Sequence, residues 1–275
     1  MRFVFLGTGT SSGIPAIGCE CATCTSTDPR DNRLRTSAAV QFTDAIGQDR
    51  TVLLDCGPDL RQQALRFGLK RCDAILFTHN HVDHVFGVDE TRRFNVLQHG
   101  PIDVYAEPST MESLQRVYRH IFESHKNVND SFVATLIAHR IEEAQVRLGV
   151  PIELFGWRFT PIRLLHGKLP VLGYRIDAPA GTESGVFPLA YCTDVSGIPP
   201  ESWARLAGVK TLVIDALRHR HHPTHFTVGQ AVGVAHRVEA AQTWFIHMTH
   251  DLKHAETDAE LPEGMGLAWD GLVLE

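Results

Sequence analysis

Residues 76–87 read "LFTHNHVDHVFG", and they decide the fold. The cluster begins where the β-rich run "DAILF" stops, and loops at strand ends are where site residues concentrate. His79, His81, Asp83 and His84 place four potential metal ligands within six positions. Alternation along an extended chain puts His79 and His81 on the same side. The turn that follows can swing Asp83 and His84 toward a neighbouring point, so one short loop can serve two ions.

Around this loop the pattern is layered. Short β-rich runs recur: "RFVFLG", "AAVQF", "TVLLD", "DAILFTH", "IDVYA", "RFTPIRLL", "LGYRID", "PLAYCTD", "TLVIDA" and "TWFIHMTH". Helical stretches lie between them. "PDLRQQALRFG" opens on proline and closes on glycine, as a capped helix does. "TVGQAVGVAHRVEA" keeps small and apolar residues on one face. "STMESLQRVYRHIFES" is expected to open with Ser109 or Thr110 as its cap. Strands mixed with amphipathic helices predict an α/β fold with sheet buried against helix. Residues 109–148 read as mostly helical, hence as an insertion or lid in a single domain spanning 1–275. No repeat, low-complexity tract or proline- and glycine-rich linker divides the chain.

The chain has 275 residues, 43% hydrophobic and 21% charged, an ordinary balance for a soluble globular protein. A net charge of −6 argues against a surface built for nucleic-acid phosphates. The opening "MRFVFLGTG" has too short an apolar run for a signal peptide or a membrane span. A cytoplasmic protein with no membrane partner is therefore expected, and there clustered cysteines are metal ligands more often than disulfides. The sixteen histidines are the outlier.

The H-x-H-x-D-H pattern of residues 79–84 resembles the signature of the metallo-β-lactamase superfamily. That resemblance implies an αβ/βα sandwich of two mixed sheets flanked by helices, with further ligands at later strand ends. His166 after "RFTPIRLL", Asp194 ending "LAYCTD" and His247 ending "TWFIH" fit in order. By the same resemblance His79, His81 and His166 hold one ion, Asp83, His84 and His247 hold a second, and Asp194 bridges them. Imidazole and carboxylate without thiolate suit zinc, manganese or iron. Two ions about 4 Å apart can share a water, lower its pKa toward ~7 and clamp a phosphoryl group. A bridging aspartate leans toward phosphoesters.

"GCECATC" (residues 18–24) packs Cys19, Cys21 and Cys24 into six positions with no fourth cysteine nearby. A redox C-x-x-C pair and a metal site with a distant fourth ligand both fit. Within the superfamily the chain resembles the phosphoribosyl cyclic phosphate phosphodiesterases of bacterial phosphonate breakdown, which carry a similar C-x-C-x-x-C. That likeness implies a structural zinc held by Cys19, Cys21, Cys24 and His250. Such a zinc would tie the N-terminal loop to the last strands and couple folding to metal binding. Cys56, Cys72 and Cys192, in or beside apolar strands, read as buried reduced thiols.

"VIDALRHRHHPTHFTVGQ" holds Asp215 at a strand end and His219, His221, His222 and His225. The resemblance gives His225 the task of protonating the leaving oxygen, with Asp215 placed to orient the ring. Asp83, His225 and Asp215 are thus the candidate catalytic residues. His219, His221 and His222 read as an exposed loop of which one member can touch substrate. Asp55 in "LLDCG" is expected to brace the ligand loop through hydrogen bonds. "GTGTSSGIP" lacks dinucleotide or P-loop spacing and reads as a structural turn. Lys168, Arg33 and Arg35 read as solvated loop cations.

The function implied is hydrolysis of a small, cyclic phosphodiester with two divalent ions (zinc or manganese) beside one structural zinc. A homodimer is the candidate assembly. Two alternatives share the fold: a tRNA 3′-processing endonuclease, and a non-hydrolytic cofactor-biosynthesis protein such as that of the pyrroloquinoline quinone pathway. The acidic charge weighs against the first. The full set of seven ligands with His225 weighs against the second.

Overall fold

A computed structural model describes residues 1–128 and 131–275. The first sheet takes β1 (Arg2–Gly7), β2 (Ser37–Thr43), β3 (Asp49–Leu54), β4 (Ala74–Leu76), β5 (Ile102–Ala106) and β6 (Leu136–Arg140). The second takes β7 (Ile152–Leu154), β8 (Trp157–His166), β9 (Leu169–Asp177), β10 (Leu189–Cys192), β11 (Thr211–Asp215), β12 (Gln242–Ile246) and β13 (Met265–Leu267). The last strand, β14 (Val273–Leu274), returns to the first sheet beside β1, so each sheet has seven strands. β3 to β6 run parallel to one another, as do β10 to β13, and the remaining pairs are antiparallel.

Strand alternation explains the layers. Phe3 and Phe5 of β1 enter the core between the sheets, while Val4 and Leu6 enter the core under the outer helices. Leu54 and Leu53 divide in the same way. On the other side Ile162, Leu164, Leu212 and Phe245 pack against outer helices, and Phe159, Tyr174 and Val213 face inward. Strands buried on both faces must be apolar at nearly every position, which is why they read as unbroken runs. Truncating such a residue, Phe5→Ala for example, costs about 3–5 kcal/mol.

Parallel neighbours require crossovers, and helices supply them. α1 (Leu60–Phe67) ends on Gly68 in the left-handed conformation, φ +66°. α2 (Val82–Val85) is a single turn inside the histidine loop, followed by α3 (Arg92–Gln98). α4 (Pro108–Val117) starts two to three residues earlier than expected: Pro108 takes the first helical position and Glu107 the cap, so neither Ser109 nor Thr110 caps it. It breaks at Tyr118 before α5 (Arg119–Phe122). α6 (Glu143–Leu148) and α7 (Trp203–Leu206) are short. α8 (Val228–Val238) carries a capping box between Thr227 and Gln230, and α9 (His254–Ala259) follows the last site loop.

The segment 109–148 is not purely helical. Beyond α5 it delivers β6, which pairs parallel with β5 and completes the edge of the first sheet. "LIAHR" hides this role because an exposed edge strand needs charge to block further pairing and so lacks a clean apolar signal. Positions 129 and 130 of the segment lie outside the described residues. No described helix is long and apolar enough to cross a membrane.

Candidate metal centre

The parallel halves of both sheets end at one edge of the sandwich. Asp55 follows β3, His79 to His84 follow β4, Asp194 follows β10, Asp215 ends β11, His247 follows β12, and His166 ends β8. Ligands gather outside the carboxyl ends of parallel strands because the connecting loops must turn there. Three of these turns are severe: Asp55, Asp194 and His247 have φ of 62°, 53° and 59°. Side chains other than glycine avoid that region, at a cost of order 1–3 kcal/mol each. Here the conformation aims Asp194 and His247 into the centre and Asp55 at the back of His84. β9 steadies the histidine loop from the facing sheet, with Tyr174 Oη donating to the Phe77 carbonyl at 2.7 Å and Leu172 N–H to that of Thr78 at 3.0 Å.

Six imidazoles close a ring. Neighbouring centroids are 4.3 Å apart for His79 and His84, 4.5 Å for His79 and His81, and 5.1 Å for His81 and His166. The circuit continues through His225, 4.5 Å from His166, and His247, 4.8 Å from His225 and 5.9 Å from His84. Four rings are held from behind at Nδ1. Thr78 Oγ1 lies 2.9 Å from His79, Asp55 Oδ2 2.7 Å from His84, the Thr224 carbonyl 2.7 Å from His166, and Asp215 Oδ2 2.6 Å from His225. Fixing Nδ1 turns Nε2 inward, the usual way a ligating histidine is oriented. Asp55 also accepts from Thr78 N–H and Oγ1, both at 2.8 Å, so one carboxylate braces two rings as expected.

The inward atoms want partners. Among the described residues, Nε2 of His79, His84 and His247 is buried without a hydrogen bond, a costly state for a polar atom. Their spacing fits shared cations. Asp83 Oδ2 is 3.3 Å from His84 Nε2 and 3.6 Å from His247 Nε2. Asp194 Oδ2 is 3.2 Å from His84 Nε2, and its Oδ1 is 3.3 Å from His247 Nε2 and 4.0 Å from His79 Nε2. Two donors each about 2.0–2.1 Å from one tetrahedral ion stand roughly 3.3 Å apart. Donor atoms gather in four overlapping sets: His79–His84–Asp194, His81–His166–Asp194, Asp83–His84–His247 and Asp194–His225–His247. Asp194 belongs to three of them.

Electrostatics point the same way. Burial pushes Asp83 and Asp194 up, but His247 and His84 outweigh it and hold both carboxyls below their usual range. Burial pushes His84 and His247 down, yet the facing carboxylates win, raising His84 well above an ordinary imidazole and His247 to about 9. Burial dominates at His79 and His166, which fall, His166 to about 4. The cluster therefore stores positive charge between its carboxylates, and a divalent ion can take the place of those protons.

Next to the ring, Asp215 is fully buried, its carboxyl raised by that burial, and it also accepts from Val195 N–H at 2.9 Å. His219 and His221 are exposed, whereas His222 is half-buried beside His225. Two contributors were invisible in sequence. Thr78 is a hydroxyl adjacent to a ligand, a weak signal. Thr224 acts through its carbonyl, which every residue has.

The cysteine cluster forms elsewhere. Nδ1 of His250 lies 3.1 Å from Cys19 Sγ, 3.7 Å from Cys21 Sγ and 3.5 Å from Cys24 Sγ. Those are edges of a tetrahedron about a zinc-sized ion with Zn–S near 2.3 Å. The Cys24 N–H favours the Cys21 thiolate, lowering its pKa to about 7, while burial raises Cys24 to about 11. Arg33 is not a solvated cation: its side chain is fully buried and donates to the carbonyls of Thr249 at 3.1 Å and Leu252 at 2.7 Å, on either side of His250. Arg35 pairs with Asp59 at 2.8 Å. Cys56, Cys72 and Cys192 are buried free thiols.

Residues 50–248 match the family described as Beta-lactamase superfamily domain. A diphosphatase of the PhnP family is 40% identical, with 100% of this chain and 97% of that one covered at a TM-score of 0.85. An octanoyltransferase of Porphyromonas gingivalis is 34% identical over 99% of this chain but 51% of its own length, so the chain spans about half of that relative. The zinc-bound PqqB of Methylobacterium extorquens shares the fold at 21% identity and a TM-score of 0.75, with both chains fully covered.

Proposed function

The chain belongs to the metallo-β-lactamase superfamily, and we propose that it is a dinuclear-metal hydrolase of small phosphodiesters, a ribose or nucleotide cyclic phosphate among them. The observation that carries this is the inward set of buried, unpartnered imidazole nitrogens at ligand-to-ligand spacing around Asp194. The PhnP-family diphosphatase supports phosphate chemistry, since that relative matches along the whole chain.

In this reading His79, His81 and His166 would hold one ion and Asp83, His84 and His247 the other, with Asp194 available to both. Zinc or manganese suits these donors. Two such ions would supply an activated water and positive charge against the phosphoryl oxygens. His225 holds a proton on Nε2 and gives it to the leaving oxygen, because Asp215 fixes Nδ1 and stabilises the charged ring. Cys19, Cys21, Cys24 and His250 hold a separate structural zinc.

Elemental analysis of protein purified without chelator, together with turnover of bis-p-nitrophenyl phosphate, tests the proposal. About three ions per chain and metal-dependent turnover are expected. Full metal content without hydrolysis of any phosphodiester would favour a non-hydrolytic role like that of a cofactor-synthesis protein. Cleavage confined to precursor tRNA would favour the endonuclease.

A further inference from the structure

The chemistry above uses His225 and the Thr224 carbonyl from the loop 217–226 and leaves His222 without a task. The geometry of His222 is nevertheless fixed. Thr224 N–H donates to its Nδ1 at 3.3 Å, and Thr224 Oγ1 lies 3.1 Å from the same atom. A backbone N–H can only donate, so Nδ1 accepts and the ring proton sits on Nε2. A proton on Nδ1 would set two N–H groups against each other. His222 is thereby a neutral ring whose free edge is a donor.

Its position gives that donor a target. The ring centroid lies 5.1 Å from that of His225. His225 is buried, His222 half-buried and His221 exposed, so the three step outward from the centre to solvent. A general acid stands against the leaving oxygen, and what lies just outside it faces the leaving group. From 218 to 225 the loop carries two arginines, four histidines, one threonine and a single apolar residue, Pro223.

We propose that His222 donates Nε2–H to an oxygen of the leaving group, so that the site selects sugar-like alcohols, rich in hydroxyl or phosphate oxygens, over apolar ones. This rests on the phosphodiesterase reading, whose failure is separable. The metal-loaded protein is titrated calorimetrically with ribose 5-phosphate and with inorganic phosphate. Both offer a phosphate to the ions, and only the sugar reaches His222. His222→Ala should weaken ribose 5-phosphate about three- to tenfold, one neutral hydrogen bond, and shift inorganic phosphate by less than about twofold. His222→Gln, which keeps an N–H donor, should recover part of the loss. Equal losses for both ligands, or none for either, overturn the proposal. In parallel, His222→Ala should lower kcat/KM more on a 2′,3′-cyclic nucleotide than on bis-p-nitrophenyl phosphate. A loaded protein that cleaves no diester yet shows the ribose-specific loss sinks the phosphodiesterase reading and keeps the sugar contact.

Discussion

The histidine–aspartate cradle and the cysteine clasp are built on opposite principles. In the cradle, donors come from the ends of strands in both sheets, and four of the six rings are pinned from behind before any ion arrives. In the clasp, three thiols from one N-terminal loop meet a histidine 226 to 231 positions away. The sandwich makes the cradle. The clasp, in turn, fastens two loops of the sandwich. A damaged cradle should therefore leave a folded, inactive protein, and a damaged clasp a weakened protein with its chemistry intact.

The largest effect expected is at the shared carboxylate. Asp194→Ala should release cradle ions and lower turnover of bis-p-nitrophenyl phosphate at least about 10³-fold, several kcal/mol of transition-state stabilisation. Circular dichroism and zinc at the cysteines should stay near wild type. Loss of fold in this variant would break the contrast. His225→Ala should slow alkyl phosphodiesters about 10²–10⁴-fold with metal content unchanged, while a nitrophenyl ester, whose leaving group needs no proton, retains much of its rate. An equal loss on both esters would assign His225 to phosphate positioning. Asp55→Asn, behind His84, should weaken cradle metal affinity about 10–100-fold, read by competition with a chelating dye.

On the other side, Cys21→Ser should lose one zinc and about 4–5 °C in Tm, two to three kcal/mol for a chain this long. Activity per folded molecule should persist. Unchanged zinc and Tm would remove the clasp from the account.

The two regions also share a pH slope, to which each contributes one histidine. His166 in the cradle and His254 beside the clasp are both buried and depressed to about 4. Each stays neutral in the fold at a pH where the unfolded chain takes up a proton. Stability of the metal-free protein should thus fall as pH drops from about 6.5 to about 4, at roughly 1.4 kcal/mol per pH unit for each such group. His254→Gln should remove one proton's share of that slope in urea denaturation, and an unchanged slope would exclude His254.

The strands of the core and the placement of the clustered histidines and aspartates were legible because both obey simple rules. Two-faced burial writes unbroken apolar runs, and a metal-type donor just beyond such a run stands at the rim. β6, β7, β13 and β14 were not legible, since two- to five-residue strands at or beside sheet edges carry little pattern. Arg33 misled for another reason. Composition places arginine in solvent, and only the fold shows that the carbonyls of Thr249 and Leu252 converge on a buried guanidinium. The braces were the least legible: Thr78 and Thr224 act through a hydroxyl and a carbonyl whose targets depend on three-dimensional closure.

The left-handed backbone at Asp55, Asp194 and His247 has an evolutionary corollary. At each of these positions glycine would relax the chain, but at Asp55 it would also strip buried Thr78 and His84 of their acceptor, a bracing role that Asp194 and His247 do not have. Selection for persistence alone would favour the exchange at 194 and 247, and selection for the proposed hydrolysis would forbid it. Descendants freed from catalysis should acquire glycine at 194 and 247 before the surrounding apolar strands drift. Glycine at these two sites would then mark, from sequence alone, the copies that have kept the architecture and abandoned the reaction.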